Sequence, residues 1–106
     1  MDRLSYFKEL LNKAPDNPMV HYSLAQEYYK VRDYENAIKH IESYLRLQED
    51  EGAVYRLLAK CYEELGEFNK AMDVLEEGIK QALKYNHPSM AEEYRQWIEE
   101  LRGMSF

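Results

Sequence analysis

Between residues 18 and 51, apolar or ring-bearing side chains fall at 20, 21, 24, 25, 28 and 31, and again at 34, 37, 38, 41 and 45. Steps of three and four residues put each series on one face of a helix. The breaker Arg32-Asp33 separates them, so the spacing predicts two helices folded back antiparallel. Sliding this segment onto residues 52–85, an offset of 34, superposes the pattern without a gap. Val20, Leu24, Ala25, Tyr28 and Ala37 meet Val54, Leu58, Ala59, Tyr62 and Ala71, and Gly66-Glu67 takes the place of Arg32-Asp33. Val31 and Leu65 close the first stripe of each half. The alanines recur where two helix axes need to come close, since a larger side chain there would wedge them apart. Tyr28, Tyr34, Tyr62 and Phe68 supply the bulk around those points.

Carried back one period, the register puts Phe7 at the place of Ile41, and Leu10 and Leu11 at those of Tyr44 and Leu45. A helix is expected over residues 3–13, ending in the turn Ala14 to Pro18 with its two prolines. Carried forward, the register slips. Asn86-His87-Pro88 interrupts, and the next series is Met90/Ala91, Tyr94, Ile98 and Leu101. Aligning Ala91 with Tyr55 takes 36 residues, which implies a lengthened preceding helix and then a capping helix over 88–103. The expectation is an all-α solenoid of about six helices in one domain, residues 1–106. Its parts are a half repeat at 3–17, full repeats at 18–51 and 52–85, and the cap.

Composition agrees, with 45% hydrophobic residues for a core and only four Gly and three Pro to interrupt helices. A net charge of −6, from 20 acids against 14 bases, argues against nucleic acid and makes a basic peptide the more natural partner. The single Cys61 cannot form an internal disulfide. No apolar run reaches the roughly 20 residues of a membrane span, and the opening MDRLSYFKEL lacks the apolar core of a signal peptide. A cytoplasmic protein with no membrane contact is the default expectation.

The segments Leu24-Ala25-x2-Tyr28 with Ala37-x3-Ile41, and Leu58-Ala59-x2-Tyr62 with Ala71-x3-Leu75, resemble the tetratricopeptide repeat signature at its usual period. Pro15 stands where that family usually has its closing proline. Departures are His21 in place of the typical Trp, Glu49 and Leu83 in place of the closing proline, and Tyr44 and Gly78 in place of a small apolar residue.

The resemblance implies a curved stack whose first helices line a concave groove that takes a peptide or helix of another protein. Carried over position by position, the partner-facing residues are Met19, Tyr22, Gln26, Tyr29 and Lys30 in the first repeat. The second repeat adds Arg56, Lys60 and Glu63, with Glu64 beside them. Two readings of Tyr22 and Tyr29 stand open: an aromatic ridge on the groove, or filling for a seam between helices. Arg56 and Lys60 either meet a partner's acid or pair with Glu63 and Glu64 on their own helix. The Lys and Asn clamp of chaperone-tail binders is not matched, since Tyr22, Gln26 and Leu57 hold those positions.

No catalytic signature is spelled out, neither a nucleophile elbow, a zinc-protease helix, a phosphate loop nor a Cys pair. The expectation is a protein-binding adaptor or scaffold rather than an enzyme, without cofactor or metal. His21, His40 and His87 lack metal-ligand spacing, and adjacent acids such as Glu63-Glu64 point about 100° apart on a helix and make poor dyads. Cys61 is expected to be semi-buried. Trp97 flanks the last apolar stripe, either capping the stack or docking a partner or second copy. The alternative function is a self-assembling structural element that oligomerises through its half-repeat or capping-helix end, so the chain is expected as a monomer or weak homo-oligomer.

Overall fold

The computed structural model describes residues 2–104 as helices α1 (Arg3–Lys13), α2 (Pro18–Lys30), α3 (Tyr34–Leu47), α4 (Ala53–Glu64), α5 (Phe68–Lys84) and α6 (Pro88–Met104). Among the described residues there is no strand. The expected all-α architecture of six helices is the one observed. The backbone divides into two units, Met1–Glu49 and Asp50–Phe106.

In the first unit α2 packs on α1 and α3. Asn17 caps α2 by accepting from the Met19 amide at 2.9 Å, and Pro18 opens the helix where its missing N–H costs nothing. The buried face of α2 is Val20, His21, Leu24, Ala25 and Glu27, and that of α3 is Ala37, Ile38, Ile41 and Tyr44. Helix α1 buries no residue completely, and Leu4, Phe7, Leu10 and Leu11 lie half-buried. Two histidines join α2 to α3. His21 Nε2 lies 2.8 Å from the Pro15 carbonyl, which can only accept, so that nitrogen carries a proton. In the neutral pair, His21 Nδ1 then accepts from His40 Nδ1 at 3.0 Å. The His40 ring also stacks on Tyr28 with 7° between planes. Burial, with the charges of His21 and Lys39 beside it, holds His40 below its ordinary value. His40 is therefore kept neutral, and its contribution to stability falls as pH drops below about 6.5, where the unfolded chain takes up the proton first.

In the second unit α5 packs on α4 and on α6. Asp50 caps α4 from two residues before the helix-start residue Gly52, accepting from the amides of Gly52 and Val54 at 2.8 and 3.0 Å. The core collects Val54, Tyr55, Leu58, Ala59 and Cys61 from α4, and Ala71, Leu75, Gly78 and Ala82 from α5. Helix α6 adds Ala91, Tyr94, Ile98 and Leu101. As the slipped register implied, α5 is lengthened, at 17 residues against 14 for α3. Gly78 explains how α6 fits: a Cβ there would sit 2.8 Å from the Tyr94 ring and 2.9 Å from Tyr55 Cβ. The Tyr94 hydroxyl donates to the Gly52 carbonyl at 2.7 Å and is fully buried. Burial pushes its pKa up to about 12.

Ala25, Ala37, Ala59 and Ala71 are all 0% exposed, as the close-approach argument requires. The stripe ends sooner than the spacing suggested. Val31 is 61% and Leu65 38% exposed, because each is the cap residue of a helix that stops just before it. Cys61 is completely buried rather than semi-buried, and burial, with Glu64 adding to it, lifts its thiol to about 11.

Helices α2, α4 and α5 end alike. A residue with positive φ, Arg32 (63°), Gly66 (75°) or Asn86 (63°), is followed by an amide that reaches back to the carbonyl of Tyr28, Tyr62 or Ala82 at 2.7–2.9 Å. This closure satisfies the last carbonyls and reverses the chain. Left-handed backbone costs a side chain about 1–2 kcal/mol that glycine does not incur. Arg32→Gly is therefore expected to raise stability by about 0.5–1 kcal/mol. Gly66→Ala, whose Cβ would meet nothing within 4 Å, should lower it by about 1 kcal/mol for backbone reasons alone. Urea unfolding midpoints check this, and shifts of the same sign for both would be inconsistent with it.

Candidate partner-binding faces

On α2 the exposed positions between the buried ones are Met19, Gln26 and Lys30. Met19 is 56% exposed at the helix start. Lys30 Nζ lies 3.0 Å from Glu27 Oε2, while Arg3 Nε reaches Glu27 Oε1 at 3.2 Å from α1. Glu27 is thus a buried carboxylate between two exposed cations. The hydrogen bond from Lys30, with the charges of Lys30 and Arg3, holds its pKa below the ordinary range. Tyr22 and Tyr29 are half-buried, each meeting a tyrosine of α3 edge-on: Tyr44 at 5.3 Å and Tyr34 at 5.6 Å between ring centres. Seam packing is the better description of both, with part of each ring left at the surface.

On α4 the Arg56 guanidinium reaches α6, with Nε and Nη2 each donating to a Glu93 carboxylate oxygen at 3.0 Å in the two-pronged geometry that arginine favours. It also lies 5.6 Å from the centre of the Tyr94 ring. Glu63 is taken up in the same direction, accepting the Trp97 indole N–H at 2.7 Å. Trp97 is accordingly half-buried and tied to α4 rather than free. Lys60 is exposed, and among the described residues it has no ion-pair partner.

Arg56, Lys60, Glu93, Gln96, Trp97 and Glu100 together line an open cleft of about 360 Å³ between α4 and α6. Apart from Trp97, the α6 wall of this cleft was not among the faces the sequence pointed to. Its signal was the spacing 93, 96, 97, 100, one helical face beside the buried stripe. Among the described residues no three His, Cys, Asp or Glu side chains gather to hold a metal ion. No helix there is long and apolar enough to cross a membrane.

Comparison with known proteins matches residues 3–78 to the family described as anaphase-promoting complex, cyclosome, subunit 3. The chain belongs to this family. Its helices and repeat spacing are those of a tetratricopeptide repeat protein. Anaphase-promoting complex subunit 3 of Dictyostelium discoideum is 34% identical over 61 residues, covering 58% of this chain. The chain spans only 6% of the length of that relative. Among solved structures, the TPR2B domain of yeast Sti1, in complex with pHsp70, superposes with a TM-score of 0.84 at 17% identity. The match covers 96% of this chain and 82% of that one. PcrH, in complex with the chaperone-binding region of PopD, gives 0.84 at 16% identity, over 95% and 77% of the two chains. At such identity these two likenesses concern the fold.

Glu27 makes the electrostatics testable. Its folded pKa lies below the ordinary value near 4.5, so its contribution is present above that value and is lost as pH falls through the folded value. Glu27→Gln is expected to destabilise the chain at pH 7, with the gap to wild type closing on acidification below about 4.5. Thermal unfolding of both proteins across pH 7 to 2.5 measures this, and a gap that widens toward acid would contradict it.

Proposed function

We propose that this chain is a protein-interaction adaptor that receives a peptide or helix of a partner on the exposed faces of its first helices, α2 and α4. The observation that carries the reading is the α4–α6 cleft, where an unpaired lysine and an indole wall lie together on an open surface. Two proteins of like fold support it, since the Sti1 domain was solved in complex with pHsp70 and PcrH in complex with the chaperone-binding region of PopD. A binding role rather than a catalytic one also suits the α2 face, whose Met19, Gln26 and Lys30 offer contact but no nucleophile beside a base. Of the residues proposed to meet the partner, Met19, Gln26, Lys30 and Lys60 are exposed; Tyr22, Tyr29, Arg56 and Glu63 contribute through the smaller part of each side chain left at the surface.

Gln26 and Lys60 are suited to a test because both are exposed and neither supports the core. The immobilised chain, offered extract of its own cells, is expected to retain a defined protein. Gln26→Arg with Lys60→Glu should weaken that retention at least about tenfold, a change of roughly 1.4 kcal/mol, while leaving thermal unfolding unchanged. Full retention by the folded double variant would remove these faces from the account. Retention of nothing by the wild-type chain would remove the adaptor reading.

A further inference from the structure

The α4–α6 cleft has its charges sorted in a particular way. Among the charged side chains that line it, Arg56 is neutralised by Glu93 through two hydrogen bonds, while Glu63, which accepts the Trp97 N–H, is not a lining residue. What remains is Lys60 on the α4 wall and Glu100 on the α6 wall, both exposed and, among the described residues, both without an ion-pair partner. Trp97 lines the same cleft with its one polar group already bonded, so what it offers an occupant is apolar ring surface. A cation, an apolar plate and an anion therefore share one depression of about 360 Å³, within the size range of sites that take small organic groups.

We infer that this cleft selects a partner segment in which an acidic and a basic side chain stand on either side of an apolar one, the acid going to Lys60, the apolar group to Trp97 and the base to Glu100. The inference rests on the adaptor reading above and adds to it the chemistry of the segment received. A purely acidic segment would satisfy Lys60 but meet Glu100 with like charge, and a purely basic one would do the reverse. Both free charges are solvent-exposed, so recognition weakens as ionic strength rises.

Trp97 is the single tryptophan of the chain, which makes its emission a reporter for this cleft. The probes are five short synthetic helical peptides with a Leu-Phe centre and no Trp. Two are flanked by Glu and Lys in the two possible orders, and the others by Glu only, Lys only or Gln only. One mixed-charge order is expected to shift the emission saturably, with the other four peptides at least about tenfold weaker. In the charge-exchanged chain carrying Lys60→Glu and Glu100→Lys, the preferred order should invert. Equal binding of the Gln peptide, an unchanged order preference after the exchange, or no response to either mixed-charge peptide at millimolar concentration would each overturn the inference. If the exchanged chain still retains the partner that wild type retains from extract, the adaptor reading stands and this inference alone falls.

Discussion

The constraint on which everything else depends is the close approach of paired helices at positions held by alanine or glycine. In the first unit Ala25 and Ala37 are sealed from water, and in the second Ala59, Ala71 and Gly78 are sealed in the same way. Packing at interior density leaves no room there for an extra methylene. Bulk is placed around these points instead, by Leu24 and Ile41 in one unit and by Leu75 and Tyr94 in the other, all with under 2% exposure. The alternation settles which faces are spent on the core, and hence which faces of α2 and α4 are left exposed.

The polar parts of the structure follow from that packing. Once Gly78 lets the Tyr94 ring come within contact distance, the buried hydroxyl needs an acceptor, and the Gly52 carbonyl provides it. With α6 held by this bond, Glu93 and Trp97 come within reach of Arg56 and Glu63. The cleft is thus a by-product of seating the last helix. In the first unit the His21–His40 pair and the Glu27 carboxylate fill the corresponding need, joining α2 to α3 and to α1 through groups that are individually costly to bury and are each given partners.

Most of the fold was legible in the sequence because its determinants are local and periodic. The bounds of α1 and the turns at Arg32 and Gly66 could be read from the spacing, as could the longer α5. What local pattern could not supply is contact between residues far apart in the chain. Arg56 and Glu93 are 37 positions apart, and Trp97 and Glu63 are 34. Within α4 alone, Glu63 looked like a partner for a nearby cation, yet one of its oxygens accepts from an indole on another helix. The exposure of Val31 escaped notice for a related reason: periodicity marks a face, while a positive-φ residue one position later ends the helix that would carry it. Tyr22 and Tyr29 stayed open between ridge and seam because only the neighbouring Tyr44 and Tyr34 rings decide between them.

The most direct test of the close-packing claim enlarges one sealed alanine in each unit and an exposed one for comparison. Ala25→Leu and Ala59→Leu are each expected to lower unfolding free energy by about 1–3 kcal/mol, since the added volume has no space to enter. Ala53→Leu, at an exposed position of α4, should change it by less than about 0.5 kcal/mol. Chemical denaturation of the three variants gives these values. If the two sealed sites tolerate leucine as well as the exposed one does, the helices are not held together by close approach, and the assignment of buried and partner-facing sides built upon it is wrong.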